Sequence, residues 1–413
     1  MCNHHSAPNP FYLLRSILLR RGQDYLDQYE PLPSHIKAME GIVKCGTESM
    51  GKGYEEPCSC CDGTHVVYHR CNNRACPRCH WIKKKKWCRK MENKLPCCSY
   101  SFVTVKIPTV LHDVFYRNQK LMYDLLLKSV SLAVKEFVDQ RFGGLPAIIA
   151  TLQTCNHRLD YNPHVHCLVS NGWMQNGKWV EPRNPYWIPT MQVLERIKEK
   201  FLNLLWKERR ATFRFIEKHI RKSRWEIDCK PFGSEQKYVA DENGNERWEL
   251  DHATNLRKAV KYMSRNCLAG HRIIDTDNDN VTIKYDDHGR QVTELIDGVE
   301  YIRRFMRHVL PKGIHSVREY GLLQKPAELK KAKKLLAMKY KESGNFIDQW
   351  LENSEPFLNE ELNETYGKCC PHCGNRTLKS MRVFFEDFQR RKQHFFYGGR
   401  ASPNIPDLNV TWP

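Results

Sequence analysis

Six cysteines, Cys58, Cys60, Cys61, Cys71, Cys76 and Cys79, crowd into one short stretch of this chain, and no other feature constrains its folding as strongly. Such a density of thiols folds around crosslinks or around a cation. The start, MCNHHSAPNP, lacks the charged-then-apolar layout of a signal peptide. No apolar run nears the roughly 20 residues that span a bilayer. A soluble, cytoplasmic protein is expected, and disulfides rarely persist in that compartment, so metal binding is read before crosslinking. Cys58-x2-Cys61 is followed, after 14 residues, by Cys76-x2-Cys79. Four thiolates on two tight turns can close the tetrahedron that structural zinc takes. Cys71 is a further thiol that leaves the membership of the four open. Cys155, Cys167, Cys229 and Cys267 are isolated and read as small apolar core residues. Cys370-Pro-His-Cys373 resembles half of a second knuckle, completed by Cys369, Cys45 or a histidine, or else metal-free.

Charge points to the partner. Lys and Arg outnumber Asp and Glu by 66 to 47, a formal charge of +19 over 413 residues, which favours phosphate backbones over other partners and makes lipid the weaker choice. DNA is the expected partner, with no membrane association. In WIKKKKWCRK, Lys83, Lys84, Lys85 and Lys86 read either as a solvated helix face or as a phosphate-contacting strip whose neighbours Trp81 and Trp87 stack on bases. The length allows two or three domains of about 100 to 200 residues.

The periodicity mixes α and β. Phe11, Leu14, Ile17 and Leu18 predict a helix within residues 10–40. SYSFVTVKIP, PAIIATLQT and YNPHVHCLVSNG read as strands, with one long helix between the first two, LHDVFYRNQKLMYDLLLKSVSLAVKEFVDQRF. A further helix is expected over about 190–219, a strand from Trp225 to Cys229, and a helix at LRKAVKYMSRN. VTIKY and QVTEL follow as strands and GVEYIRRFMRHVL as a helix, before a charged tail. No internal repeat interrupts this order.

Two segments carry chemistry. Residues two apart on a strand share a face, so His164 and His166 point together while Val165, Cys167 and Val169 point to a core. Two imidazoles with an oxygen partner can hold Mg²⁺ or Mn²⁺, or more firmly Zn²⁺ or Ni²⁺, and polarise a phosphate. Taken alone, hydrogen-bonded histidines on a sheet face are the commoner cause of that pattern. On the helix at 255–266, Leu256, Ala259, Val260 and Met263 form an apolar arc, and Tyr262 and Asn266, four apart, share its edge. A tyrosinate can attack a phosphodiester where a cation stabilises the developing charge. Without the histidines, Tyr262 reads as an amphipathic boundary residue.

Taken together, CNNRACPRC, LDYNPHVHCLVSNG, the KPFG segment, KYMSRN and YIRRFMRHVLPKGIHSVREYGLL resemble the HUH transposases of rolling-circle insertion sequences, of the insertion-sequence ninety-one type. The resemblance runs from about Cys45 to Leu323. It implies that His164 and His166 bind a divalent metal, Mg²⁺ or Mn²⁺, and that Tyr262 attacks single-stranded DNA, leaving a 5′-phosphotyrosine and a free 3′-hydroxyl. Many members have a second tyrosine where this chain has Asn266, so the chain resembles the single-tyrosine branch. Asn266, Gln153 and His157 are the candidates for a third metal ligand. Lys230, Arg303 and Arg304 are candidates for contact with the DNA backbone, or ordinary surface charges. The expected fold is α+β: residues 1–95 a helical and zinc-binding DNA-recognition domain, 96–323 a core with a central antiparallel sheet and flanking helices, and 324–413 a helical tail. The expected activity is transposition between element ends and target DNA in a prokaryotic cytoplasm, at the nucleoid. A rolling-circle replication initiator or relaxase shares that chemistry, and a catalytically silent zinc-dependent DNA-binding protein is the alternative of another class.

Overall fold

Proline is the first residue of several helices in this chain, where its missing N–H costs nothing, and Gly143, in the left-handed region at φ 60°, closes another. The computed structural model describes residues 10–57, 63–233, 235–240, 246–265, 272–277, 279–287 and 289–342. Two helices come first, α1 (Pro10–Gln28) and α2 (Pro33–Lys44), broken between Pro31 and Pro33. Next is an antiparallel hairpin, β1 (Lys52–Pro57) and β2 (Thr64–Tyr68). The hairpin belongs to a small unit of its own, whereas the other described residues form the larger unit.

In the larger unit, α3 (Pro77–Lys94) leads to β3 (Tyr100–Lys106), α4 (His112–Arg117) and α5 (Gln119–Phe142). The single long helix expected here is two, because Asn118 leaves helical geometry at φ −124° and ψ 38°. β4 (Leu145–Cys155), β5 (Tyr161–Gln175) and β6 (Lys178–Val180) follow. Asn176 and Gly177, at φ 48° and 75°, make the tight β5–β6 turn. The helix expected over about 190–219 is likewise two, α6 (Thr190–Glu208) and α7 (Arg210–Lys222), parted at Arg209 with φ −150° and ψ 83°. β7 (Glu226–Phe232) runs past the expected end at Cys229 into the KPFG segment. A hairpin of β8 (Gln236–Ala240) and β9 (Glu246–Leu250) precedes α8 (His252–Met263). β10 (Ile273–Asp275), β11 (Asn280–Asp287) and β12 (Arg290–Asp297) form a small antiparallel sheet. α9 (Gly298–Met306), β13 (Val317–Gly321) and α10 (Pro326–Glu342) complete the described chain. Among the described residues no helix is long and apolar enough to cross a membrane.

The central sheet has the order β13-β4-β5-β3-β7, antiparallel throughout, with β6 paired to β5. The architecture is α+β, a central antiparallel sheet flanked by helices, as the sequence pattern predicts. Alternation of side chains sorts the sheet into two faces. Val103, Val105, Val165, Cys167 and Val169 pack with α5 and α6 on one. Phe102, Ile149 and Leu168 pack with Leu256, Val260 and Met263 of α8, Met91 of α3 and Leu336 of α10 on the other. Leu256, Val260 and Met263 are fully buried, each contributing roughly 1.5–3 kcal/mol by the area removed from water. A third core joins α1 and α2 to the small sheet and α9, and includes Cys45, Cys76 and Cys79. Packing therefore links residues on both sides of position 95.

Candidate functional site

Register sets out the site on the α8 side of the sheet. Residues opposite one another on antiparallel strands share a face, so two rows run across it: Gln153, His164, Lys106 and Glu226, then Thr151, His166, Thr104 and Asp228. The His164 Nδ1–H donates to the Asn162 carbonyl at 2.7 Å, which leaves Nε2 as the nitrogen with a lone pair for coordination. His166 Nδ1 meets the Thr104 hydroxyl at 3.0 Å. The two imidazoles stand perpendicular with centroids 4.7 Å apart. Both are buried, at 7% and 6% exposure. Burial, with help from His164 and Lys106, pushes the His166 pKa down to about 3, so at neutral pH this ring is the uncharged form that a metal requires.

Tyr262 reaches the same place from α8. The Asp251 carboxylate caps that helix by accepting from the Thr254 N–H at 3.0 Å. Asn255 ties its first turn to Glu235, two residues beyond the KPFG segment, accepting from the Glu235 N–H and donating to the Glu235 carbonyl, both at 3.1 Å. Gly233, at φ +92°, lies where any Cβ would meet the Asn255 Oδ1 at 2.4 Å. With its apolar arc buried, α8 leaves Tyr262 half-buried at the edge. The Tyr262 ring meets Phe102 edge-on at 4.7 Å and lies 5.7 Å from the His166 ring. The Arg265 guanidinium sits over the ring, 4.6 Å from its centroid. Phe102 also stacks on His166 at 5.0 Å. It is the shared platform of the cluster, and sequence reasoning missed it. The available signal was its phase: Phe102 falls in step with polar Thr104 and Lys106, an aromatic on the functional face.

The remaining expected ligands and contacts are distributed unequally. Gln153 is the cross-strand neighbour of His164, and its amide donates to the Arg265 carbonyl at 3.5 Å. His157 is exposed on the turn beyond the last β4–β5 pair, Cys155 with Tyr161. Asn266 lies outside the described residues, as do Cys370 and Cys373. Arg303 is bonded to Glu300, and Arg304 to both Glu300 and Glu294. Lys230 is exposed and faces Asp228 at 3.3 Å. Of the lysine run, Lys83 donates to the Asn72 carbonyl, Lys85 lies over the Trp81 ring at 5.4 Å, and Lys84 is turned inward and partly buried.

The thiols converge as a quartet. Cys45, Cys71, Cys76 and Cys79 bring their sulfurs within 4.8 Å of one another. Cys45 and Cys71 lie 3.5 and 3.7 Å from Cys79, sulfur to sulfur, close to the roughly 3.8 Å edge of a tetrahedron with zinc–sulfur bonds of about 2.3 Å. The donor set fits structural zinc. Of the expected set, Cys76, Cys79 and Cys71 take part, while Cys58 and Cys61 lie outside the described residues and Cys45 completes the four. Cys45 follows the last turn of α2, whose buried Ala38, Met39 and Ile42 seat it against the knuckle. Arg74 in the knuckle donates to the carbonyls of Ile314 at 2.5 Å, Pro311 at 2.7 Å and Leu310 at 3.2 Å.

Residues 17–107 match the family described as "Transposase zinc-binding domain", and residues 147–332 match the family described as "Putative transposase". "Putative transposase y4qJ" of Sinorhizobium fredii (strain NBRC 101917 / NGR234) is 26% identical over 332 residues, 74% of this chain and 79% of that protein. "Transposase for insertion sequence element IS801" of Pseudomonas savastanoi pv. phaseolicola is 27% identical over 146 residues, 35% of either chain. No solved structure matches significantly. A cysteine quartet ahead of a sheet with paired histidines and a tyrosine helix, matched in both halves, defines the class as transposase. Within that class the matches are consistent with a transposase of the insertion-sequence ninety-one family.

Proposed function

We propose that this transposase cuts and rejoins single-stranded DNA through a covalent link to Tyr262. One observation carries the reading: a strand and a helix nearly a hundred residues apart in sequence bring the His166 and Tyr262 rings to 5.7 Å, with His164 at the side of His166. The phenolate oxygen of Tyr262 attacks the phosphorus, a phosphotyrosine bond forms, the bond to the 3′-oxygen breaks, and that oxygen leaves as a 3′-hydroxyl after taking a proton. Attack by a 3′-hydroxyl of target DNA on the phosphotyrosine reverses the exchange and frees the tyrosine. His164 and His166, with the Gln153 carboxamide as a third donor and Asn266 as its rival, are the residues that would hold Mg²⁺ or Mn²⁺. When bound, that ion would supply charge stabilisation at the phosphate. Phe102 fixes the angle between imidazole and phenol, and Arg265, 4.6 Å from the phenol centroid, places a positive charge beside the nucleophile. With Asn266 where many relatives have a second tyrosine, one nucleophile serves both donor and target strands in turn. In this division of labour, residues 1–95 recognise DNA, 96–323 carry the chemistry and 324–413 form an accessory tail, within a prokaryotic cytoplasm.

The test is direct. Labelled single strands carrying element-end sequence are incubated with the protein and Mn²⁺, then denatured and resolved by size. A labelled band at the mass of protein plus DNA is expected from the wild type and absent from Tyr262→Phe and from His164→Ala/His166→Ala. An adduct formed by Tyr262→Phe would remove Tyr262 as nucleophile.

A further inference from the structure

Beside the histidine pair lies a cavity of about 230 Å³ between the start of α3, the end of β4 and the end of α8. Its walls hold Arg74, Lys83, Lys84 and Arg265 and no carboxylate. Two of these cations are occupied, Arg74 by three carbonyls and Lys83 by one. Lys84 is different. It is half-buried, no carboxylate pairs with it among the described residues, and burial, then the charges of Arg265, Lys85 and Lys261, depress its pKa. Thr151, only 3% exposed, lines the same space with a hydroxyl that has no partner among the described residues, and the His80 Nε2 is equally unmet. Trp87 supplies an aromatic wall.

Buried donors without partners and a partly desolvated ammonium without a counter-ion each cost free energy unless a ligand meets them. A ligand that meets all of them carries an anion and hydrogen-bonding atoms. The size limits it further: the volume is below the roughly 300 Å³ at which pockets for drug-sized molecules begin, so one nucleotide unit fits and a duplex does not. The location says which nucleotide. Thr151 is the cross-strand neighbour of His166, and Gln153, also in the wall, is that of His164. Arg265 bridges the two places, in the wall and over the Tyr262 ring.

We propose that this cavity seats the one nucleotide adjoining the scissile phosphate, its phosphodiester on Lys84 and Arg265, its polar edge on Thr151 and His80, and its base against Trp87. The site rests on the strand-transfer reading for its purpose but not for its occupancy. It makes the zinc-bearing segment, through α3, part of the substrate channel rather than a separate anchor.

Equilibrium binding tests it without catalysis. Full-length protein is titrated, in EDTA-free buffer lacking Mg²⁺ and Mn²⁺, against a fluorescein-labelled oligothymidylate at several salt concentrations. Lys84→Gln is expected to raise Kd about tenfold or more and to lower the salt slope by about one. Thr151→Val is expected to raise Kd several-fold and leave the slope unchanged. Lys84→Arg should retain both affinity and slope. Lys207→Gln, which removes an exposed charge on α6 across the sheet, is the control and should change neither. Zinc content and thermal midpoint identify a variant that has merely lost its fold, in which case Lys84→Arg and Thr151→Val decide. The proposal falls if Lys84→Gln and Thr151→Val bind as Lys207→Gln does. It falls equally if inorganic phosphate shields Lys84 from an amine-reactive label while the oligonucleotide does not, which makes the cavity a free-anion site. Failure of the wild type to form any covalent adduct would instead overturn the strand-transfer reading, and the binding result would stand.

Discussion

The phenyl ring of Phe102 contacts both the imidazole of His166 and the phenol of Tyr262, so its shape sets the angle at which the two rings face each other. Phe102→Leu keeps an apolar side chain of similar bulk in a site that is only 4% exposed; a stability loss of about 1 kcal/mol is expected from such a swap. The rate of adduct formation should fall further than DNA affinity does, which single-turnover kinetics beside equilibrium binding will measure. Another buried ring predicts a pH response. Burial lowers the His35 pKa to about 4 from an ordinary 6.5, while its Nδ1 meets the Tyr25 hydroxyl and its Nε2 is buried without a partner among the described residues. Between those pH values the unfolded chain binds the extra proton, so stability rises with pH there. The contribution is whole above about pH 6.5 and lost as pH falls toward 4. Thermal midpoints measured across that window should drop for the wild type and flatten for His35→Leu. The sequence made His164, His166 and Tyr262 legible because strand and helix periods fix which way each points. Cys45 and Phe102 were not, since both act through contacts with residues distant in the chain, and no local spacing encodes those.

Among elements, α8 matters most, because its tilt decides how far the Tyr262 hydroxyl is from the sheet. Three contacts hold it: the Asp251 cap, the apolar arc against Phe102 and Leu168, and the Asn255 bonds to Glu235. The last depends on Gly233, where positive φ and the close Asn255 side chain leave no room for a Cβ. Gly233→Ala is expected to cost about 1–3 kcal/mol in backbone strain alone. By pushing Asn255 aside it should reduce adduct formation even at temperatures where the protein stays folded, a split that calorimetry and the denaturing-gel assay separate. Equal activity in Gly233→Ala and wild type would show that α8 does not need this tie. The element boundaries themselves were harder to read than their order. Apolar spacing continues across Asn118 and across Arg209, so the pattern predicts one helix where the backbone makes two. Nothing in a hydrophobic period marks a turn that keeps both halves against the same core.

For the larger unit as a whole, the zinc quartet is a junction between cores rather than an appendage. Its cysteines share a core with α1, α2 and α9, and Arg74 grips three carbonyls of the 310–314 segment that leads into β13 at the sheet edge. Arg74 lies between Cys71 and Cys76, so loosening the quartet is expected to loosen its hold on those carbonyls. Metal binding is folding energy where a site has no counterpart in the unfolded chain. Chelation should therefore do more than unfold a knuckle. Hydrogen exchange is expected to quicken in residues 310–317 together with 71–80, ahead of β4 and β5, and the thermal midpoint should fall. Cys45→Ser should reproduce both effects and lower zinc content. If exchange quickens in 71–80 alone while 310–317 stays protected, Arg74 does not transmit the state of the quartet, and the zinc segment and the sheet edge are stabilised independently.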